Sequence, residues 1–262
     1  MNYAEIINLI FLILGSLFAL FHLHFYFFGI SGFLRHKRYP PVREKCRYLV
    51  LASGKNEETV IGRLIQSVRE ADYPQDKLDI LVVAHNCVDR TAEIASCMGA
   101  KVLVDDNKEE KTLGYAYKFA FEHIDNLSDY DGVVFFNADN TVAKDYFDKL
   151  NDAFVHYGKK DVVSSFRNIL NAKRGILPII YGFYFAISCL FGFSGRDNFG
   201  VSGRVTGCGF VIPVDYLKDG WKYLSITEDL EFSADSVLHG KGFRFCYEAT
   251  FYGEQPTNLK TM

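Results

Sequence analysis

Residues 132–140 read GVVFFNADN, so an apolar run ends directly in a polar turn that carries a carboxylate. A short apolar run bounded by polar residues is typical of a buried β-strand. The end of that strand would lie at the rim of a sheet, where Asp139 could join a magnesium or manganese ion to a diphosphate. Local sequence supports a second interpretation equally well, since Asp139 or Asn140 could cap a following helix.

A second acidic motif, Thr227-Glu228-Asp229, follows much later in the chain. Thr227 is a favourable helix N-cap, and the two carboxylates after it suit the positive end of the helix dipole. A helix N-terminus that opens on a cleft also holds a carboxylate ionised, as a general base requires. Capping and catalysis are therefore compatible at Asp229, which could take the proton of an attacking hydroxyl group.

Outward from these motifs, apolar runs alternate with amphipathic segments. We predict strands at residues 48–52, 78–84, 101–104 and 132–136, and helices at residues 60–68, 89–98 and 114–124. Such alternation predicts an α/β fold with a mostly parallel sheet covered on both faces. Ligands of such sheets bind beyond the carboxyl ends of the strands, where the polar turns at residues 53–58 and 137–140 fall.

The N-terminal segment predicts a membrane anchor. Residues 6–34 contain no Asp, Glu, Lys or Arg, and the run exceeds the roughly 20 apolar residues that cross a bilayer as a helix. The basic cluster at residues 35–38 favours the cytoplasmic side. We therefore expect residues 1–38 to form a single transmembrane anchor with its flank, and residues 39–262 to form one catalytic domain in the cytoplasm. A cleaved signal peptide competes with this interpretation, but its basic residues precede the apolar core.

A second uncharged run, ILPIIYGFYFAISCLFGF, covers residues 176–193. Its length would allow a marginal span. A crossing there would place Asp139 and Asp229 on opposite sides of the membrane, so that they could not share one site. We therefore expect a helix that lies on the bilayer surface or is buried in the domain, where Tyr and Phe suit the interface.

Composition limits the class of protein. A chain of 262 residues can bury one sizeable core, so one catalytic domain plus an anchor is expected. The net charge of −3 argues against a surface that binds polyanions, and nucleic acid is not an expected partner. Six cysteines without Cys-x-x-Cys spacing indicate reduced thiols and neither a zinc site nor a dense disulfide framework.

Several short motifs form an ordered series across residues 47–256. They are Asn56-Glu57-Glu58, residues 83–95 (VAHNCVDRTAEIA), Lys111 with Gly114-Tyr115-Ala116, residues 136–140 (FNADN), residues 206–210 (TGCGF), Thr227-Glu228-Asp229 and residues 252–256 (YGEQP). In this order they resemble the family 2 glycosyltransferases of the GT-A fold, in the membrane-anchored branch related to cellulose, chitin and hyaluronan synthases. The series is far more specific than any one of its members.

The resemblance implies an inverting transferase. It would move a hexose or N-acetylhexosamine from a nucleotide sugar, with a UDP-sugar expected, to a saccharide or lipid-linked acceptor at the membrane. Asp139 would bind Mg²⁺ or Mn²⁺, and Asp229 would deprotonate the acceptor hydroxyl. The residues implied to face the donor are Ser53, Glu57, His85, Lys111 and Asn137, and those implied on the acceptor side are Cys208, Gly209 and Glu228.

Three departures from the family pattern bear on this expectation. Asn137 replaces the usual first acid, keeping a hydrogen-bonding group but no charge, and His85 replaces the aspartate that commonly reads the base. The chain also stops at Met262, before the family's Gln-x-x-Arg-Trp motif and C-terminal spans, so the domain is expected to be incomplete at that end. A noncatalytic relative that binds a nucleotide or a partner in polysaccharide synthesis is the alternative, and a transferase onto a polyprenyl phosphate would use the same fold.

Overall fold

Eight strands form one sheet in a computed structural model that describes residues 2–258. The strands are β1 (Tyr48–Gly54), β2 (Leu78–His85), β3 (Lys101–Asp105), β4 (Gly132–Asn137), β5 (Thr141–Val142), β6 (Val162–Ile169), β7 (Phe210–Pro213) and β8 (Phe243–Gly253). Their order across the sheet is β3-β2-β1-β4-β7-β6-β8-β5. The predicted α/β fold is confirmed.

Eight α-helices accompany the sheet within the described residues. They are α1 (Tyr3–Leu34), α2 (Ile61–Arg69), α3 (Thr91–Cys97), α4 (Leu113–His123), α5 (Tyr146–His156), α6 (Ile176–Ile187), α7 (Gly195–Asn198) and α8 (Glu228–Leu238). Each strand and helix predicted between residues 48 and 136 is present, with ends within two residues of the prediction. The periodicity of this half of the chain is therefore sufficient to locate its elements.

The sheet is parallel in its first half and mixed in its second. The strands β3, β2, β1 and β4 pair in parallel. The strand β7 is antiparallel to both of its neighbours, β4 and β6, while β8 is parallel to β6 and antiparallel to β5. The reversal at β7 brings the chain that precedes it to the carboxyl end of β4.

Central strands pack on both faces, which explains their unbroken apolar sequences. In β1, Tyr48 and Val50 belong to the core beneath α2 and α5, whereas Leu49 and Leu51 belong to the opposite core with Tyr117 and other side chains of α4. All four β1 side chains are 2% exposed or less. Burying a large apolar side chain contributes about 1.5–3 kcal/mol, so both faces hold the sheet in its register.

Two helices are long and apolar enough to cross a membrane, Tyr3–Leu34 and Ile176–Asn198. The second runs without a break from α6 through a π-helical segment (Ser188–Ser194) into α7. The two helices touch through their backbones, because a Cβ atom on Gly32 would overlap the carbonyl oxygen of Leu190 and one on Gly195 would overlap that of Phe28. Below, residues 176–198 are called the apolar helix.

Both ends of the apolar helix return to the same sheet. The strand β6 precedes it and β7 follows it, and these strands pair at Val163 with Val211 and at Ser164 with Phe210. The juxtamembrane residue Tyr39 adds a link, since its buried hydroxyl donates to Asp197 Oδ2 at 2.9 Å. The acidic motifs before and after the apolar helix thus lie in one folded unit.

Candidate active site

The turn after β4 places Asp139 at the rim of the sheet. Ser53 and Asn137 are register partners on adjacent parallel strands, and the Ala138 N–H donates to the Ser53 carbonyl at 3.1 Å. The turn is closed by the fully buried Asn140, whose Oδ1 accepts from Asn137 N at 3.0 Å and whose Nδ2 donates to Asp139 Oδ1 at 2.9 Å. The helix-cap interpretation is wrong, because β5 follows this turn and α5 begins only at Tyr146.

Burial raises the pKa of Asp139 above its ordinary value of 3.8. The positive charges of Arg167 and Arg63 oppose that rise, while the carboxylate of Glu254 adds to it. Burial also raises the pKa of Glu57, together with the charges of Asp139 and Asp89. The rim therefore holds carboxylates whose negative charge is poorly compensated, an environment that favours a cation.

The first polar turn is tied to the loop after β2 by side chains. The Glu57 N–H donates to Thr91 Oγ1 at 2.8 Å, and the Glu58 N–H donates to Asp89 Oδ2 at 3.0 Å. Asp89 in turn accepts from the Thr91 hydroxyl at 2.6 Å. Asp89 and Thr91 lie in the motif quoted from the sequence but were given no role there, and they hold the turn at residues 53–58 in place.

His85 is buried at the end of β2. Its Nδ1 lies 2.7 Å from Asp105 Oδ2, and its Nε2 lies 3.3 Å from the amide nitrogen of Asn86. Both ring nitrogens thus have protein partners, and Asn86, with a positive φ of 55°, follows directly. The role of His85 in reading the nucleotide base stays a prediction.

Lys111 lines an open cavity of about 450 Å³ beside the first turn. Lys55 and Lys108 line the same cavity, together with Asn56 and Asn86. Three ammonium groups around one cavity attract an anion such as a phosphate. The sequence identified Lys111 alone; Lys108 stands three residues before it, whereas Lys55 comes near it only through the fold.

Asp229 lies at the start of α8, and the glycine-rich loop holds its carboxylate. The Gly207 N–H donates to Asp229 Oδ2 at 2.7 Å, and the Leu230 N–H donates to Asp229 Oδ1 at 2.8 Å. Thr227 occupies the N-cap position but makes no capping hydrogen bond through its side chain. The expected helix N-terminus is confirmed, and its carboxylate is fixed by the backbone of residues 206–209.

Gly209 brings that loop to the end of β4. Its N–H donates to the Phe135 carbonyl at 2.8 Å, and its own carbonyl accepts from Ser165 N at 2.9 Å. Its φ of 73° lies in the left-handed region, and a Cβ atom would overlap the ring of Phe251. Only glycine fits this position, which explains the glycine-rich motif.

Cys208 lies between the two acidic motifs. It is 4% exposed, and burial raises the pKa of its thiol to about 11. The same thiol experiences the charges of Arg167, Asp139 and Asp229. Asp139 and Asp229 therefore both lie near enough to the buried Cys208 for their charges to raise the pKa of its thiol.

Glu228 is the buried carboxylate of the second motif. It is 5% exposed, and burial raises its pKa to about 7. A hydrogen bond to its backbone opposes the shift, whereas the charges of Asp229 and Glu231 add to it. Asp229, in contrast, is partly exposed at the cleft, so the two adjacent acids occupy different environments.

Three charged residues near Asp139 were not identified as site residues from the sequence. Arg167 comes from β6, Arg63 from α2, and Glu254 follows β8. Arg63 donates to Glu254 Oε2 at 2.7 Å. Glu254 lies in the quoted YGEQP motif, so the sequence could have identified it as a site residue. The two arginines stand in segments without a motif.

Within residues 2–258, no group of three or more His, Cys, Asp or Glu side chains is arranged to hold a metal ion. Asp139 and the amide of Asn137 are the polar groups that β4 and its turn offer. Magnesium is commonly held by one or two carboxylates together with substrate phosphates and water. The residues present fit a metal that arrives with a diphosphate.

Comparisons with known proteins agree with this geometry. The family model of Glycosyl transferase family 2 matches residues 53–203. The "Probable glycosyltransferase YdaM" of Bacillus subtilis (strain 168) is 24% identical over 253 residues, which is 90% of this chain. The chain spans 59% of the length of that relative.

Solved structures show the same fold. The mannosyltransferase PcManGT from Pyrobaculum calidifontis, in complex with GDP-Man and Mn²⁺, superposes with a TM-score of 0.67 at 16% identity, over 92% of this chain and 68% of that one. S. aureus TarS residues 1–349, in complex with UDP-GlcNAc, gives 0.58 at 17% identity, over 81% and 59%. At these identities the similarity shows the GT-A fold, and the relation to cellulose, chitin and hyaluronan synthases stays a prediction.

The buried Glu228 predicts a pH-dependent stability. Its folded pKa of about 7 exceeds its ordinary value of 4.5, so the folded state binds more protons and stability falls as pH rises between these values. Glu228→Gln should remove this fall, so its thermal midpoint should exceed the parent's at pH 8 and approach it at pH 4.5. Glu93→Gln, which makes the same charge change at an exposed position of α3, is the control. Parallel profiles for parent and Glu228→Gln would refute the interpretation.

Proposed function

Because the chain belongs to glycosyl transferase family 2, we propose that it transfers a sugar from a nucleotide sugar to an acceptor hydroxyl with inversion at the anomeric carbon. The observation that carries the proposal is the hydrogen bond from Gly207 N to Asp229, in a loop that reaches the end of β4, where the Gly209 N–H donates to the Phe135 carbonyl. Donor and acceptor chemistry would thereby meet at one place.

The donor would bind across the polar turns after β1, β2 and β4. Lys55, Lys108 and Lys111 surround one cavity there, and Glu57 borders Asp139. Ser53 and Asn137 end neighbouring strands at the same rim. The relatives of known structure carry GDP-Man in one case and UDP-GlcNAc in the other. We infer a nucleotide-sugar donor, with a UDP-sugar expected.

Asp139 is the residue that would hold a divalent cation, with Asn137 beside it. A bound Mg²⁺ or Mn²⁺ neutralises the charge that develops on a departing diphosphate. The PcManGT structure contains Mn²⁺. Burial of Asp139 and the nearby Glu254 support the assignment, because both make an unneutralised carboxylate unfavourable.

Asp229 would act as the general base. The acceptor hydroxyl oxygen forms a bond to the anomeric carbon as the bond from that carbon to the diphosphate oxygen breaks, and Asp229 takes the hydroxyl proton. The N–H groups of Gly207 and Leu230 hold the carboxylate in a fixed direction while this happens. Cys208, Gly209 and Glu228 would border the acceptor, which we infer to be a saccharide or lipid-linked molecule.

A noncatalytic nucleotide-binding relative remains the second candidate. The amide of Asn137 stands where the family pattern has an acid, which favours it. The fixed geometry of Asp229 favours catalysis, because a carboxylate kept only for capping would not need a second donor from a separate loop. Loss of turnover with intact donor binding in an Asp229 variant distinguishes the two.

We also propose that α1 anchors the protein, with residues 1–38 as anchor and flank and residues 39–262 as a catalytic domain at the cytoplasmic face. Met1 and residues 259–262 lie outside the described residues. The pairing of β6 with β7 supports a single crossing, since it joins the chain before and after the apolar helix in one sheet. The contacts of Gly32 and Gly195 support an apolar helix that lies against the anchor at the membrane surface.

Asp139→Ala should abolish metal-dependent donor binding, because a diphosphate without its cation would face the remaining carboxylates of the rim. Calorimetric titration with UDP and GDP, with and without Mn²⁺, measures the effect. Asp145→Ala makes the same charge change at an exposed position after β5 and should keep the parent behaviour. Unchanged manganese-dependent affinity in Asp139→Ala would disprove the assignment.

Asp229→Asn should lose roughly 10²- to 10⁴-fold in turnover, which is the usual contribution of a positioned base. Donor affinity should barely change. Asparagine can accept from only one of the two N–H groups through its single oxygen, so the melting temperature is recorded beside the rate. A variant that melts earlier but turns over at near the parent rate at low temperature would show that Asp229 is only structural.

The topology is tested by labelling introduced cysteines from either side of intact cells. Lys160→Cys and Val201→Cys flank the apolar helix, and Asn2→Cys precedes α1, each in a Cys97→Ser background that removes the exposed native thiol. Residue 2 should react from outside, and residues 160 and 201 only after permeabilisation. Opposite accessibility of residues 160 and 201 would contradict the single crossing.

A further inference from the structure

A small cavity of about 150 Å³ lies between β6, the apolar helix and the catalytic loop. Thr206 and Cys208 line it from the loop, and they flank Gly207, which binds Asp229. Ser188 lines it from the apolar helix, and Arg167 and Arg204 contribute the charged groups. The cavity thus extends the acceptor side of the site toward the anchor.

Arg167 is held in this cavity without an anionic partner. Its Nε is buried and has no hydrogen-bond partner. Its guanidinium carbon lies 4.0 Å from the ring centroid of Phe185. A Cβ atom on Gly253 would lie 3.2 Å from Nη2, so the backbone there leaves room for the guanidinium. A buried hydrogen-bond donor without a partner is costly. The guanidinium of Arg167 is held by stacking on Phe185, and its Nε has no hydrogen-bond partner.

Other arginines near the rim form ion pairs with a carboxylate. Glu254 pairs with Arg63 at 2.7 Å and with Arg174 at 2.9 Å. By contrast, no carboxylate oxygen of residues 2–258 lies within 4.0 Å of a side-chain nitrogen of Arg167 or Arg204. Two guanidinium groups without an ion pair, beside the hydroxyls of a threonine and a serine, match a phosphate, which accepts paired hydrogen bonds from the guanidinium fork.

The outer face of the apolar helix indicates what carries that phosphate. Ile179, Ile180 and Phe183 are 56%, 56% and 71% exposed, on the helix whose Phe185 stacks on Arg167. The same helix touches the α1 anchor at Gly195. A phosphate in the cavity would therefore lie at the level of the bilayer surface, with an apolar surface beside it for a lipid chain.

We propose that this cavity binds the phosphate of a lipid-linked acceptor through Arg167 and Arg204, so that the sugar attached to that lipid presents its hydroxyl to Asp229. The inference rests on the proposed glycosyl transfer and narrows its acceptor to the phosphate-bearing class. The phosphate is bound and is not consumed: the hydroxyl oxygen forms the new bond, its proton goes to Asp229, and the nucleoside diphosphate leaves.

The diphosphate of the donor is the other phosphate that could reach Arg167, since this residue acts on the charge of Asp139. The two sources are separated by two sets of affinity measurements on the full chain in detergent. One is for farnesyl phosphate compared with farnesol, which differ only in the phosphate. The other is for UDP with Mn²⁺.

Farnesyl phosphate should bind the parent at least 10-fold more tightly than farnesol. Arg167→Gln and Arg204→Gln should each weaken farnesyl phosphate binding, by roughly 10- to 100-fold for the half-buried Arg167. Neither should alter farnesol binding, and UDP affinity should stay within about 2-fold. Lys173→Gln removes an exposed charge just before α6, outside the cavity, and should leave all three affinities unchanged. Arg167→Lys, which keeps the charge but not the fork, should fall between parent and Arg167→Gln.

Equal affinity of the parent for farnesyl phosphate and farnesol would overturn the proposal. So would a double variant, Arg167→Gln and Arg204→Gln, that still binds farnesyl phosphate more tightly than farnesol. Loss of UDP affinity in Arg167→Gln with farnesyl phosphate binding intact would assign the arginine to the donor. If Arg167→Gln does not fold, the Arg204→Gln variant carries the test, because Arg204 is exposed. Because UDP binding is recorded in every variant, failure of the proposed transferase function appears separately, as absent UDP binding in the parent.

Discussion

The antiparallel pairing of β7 with β4 is the interaction on which the candidate site depends. It sets Phe210 against Phe135, and it continues into Gly209, whose N–H donates to the Phe135 carbonyl at 2.8 Å. Gly209 can be accommodated there only because it has no Cβ atom to meet Phe251. The loop it ends carries Gly207 to Asp229, so a main-chain contact in the sheet decides where a side chain of a distant helix points.

Charge is distributed around that contact in a way that suits a substrate with two phosphates. Three lysines surround the cavity beside the first polar turn, while the carboxylates of Asp139 and Glu57 stand at the rim, where the charge of Asp139 raises the pKa of Glu57 beyond the effect of burial. Arg167 stacks on Phe185 of the apolar helix. Binding energy at both ends would hold the reacting centre between Asp139 and Asp229, which is how a transferase positions its reactants.

The parallel half of the fold was predictable from the sequence because its strands are buried on both faces and its helices have one apolar stripe. The mixed half was not fully predictable, since two of its strands are too short for a periodicity to show: β5 has two residues and β7 has four. The site residues were likewise predictable only in part. Asp139 and Asp229 stand in recognisable motifs, whereas Arg167 and Asn140 acquire their roles from partners distant in sequence or from a buried turn. The capping alternative for Asp139 was open locally because only the fold reveals that a strand follows.

The most direct test of a metal-dependent transferase built around Asp139 and Asp229 is a screen of nucleotide sugars with the full chain, with and without Mn²⁺. The measured quantity is release of nucleoside diphosphate, with the anomeric configuration of the sugar product read by NMR. The account predicts that one donor is consumed only when the metal is present and that its sugar inverts. Binding without consumption of any donor would support a noncatalytic relative, and a product of retained configuration would contradict the single displacement assigned to Asp229.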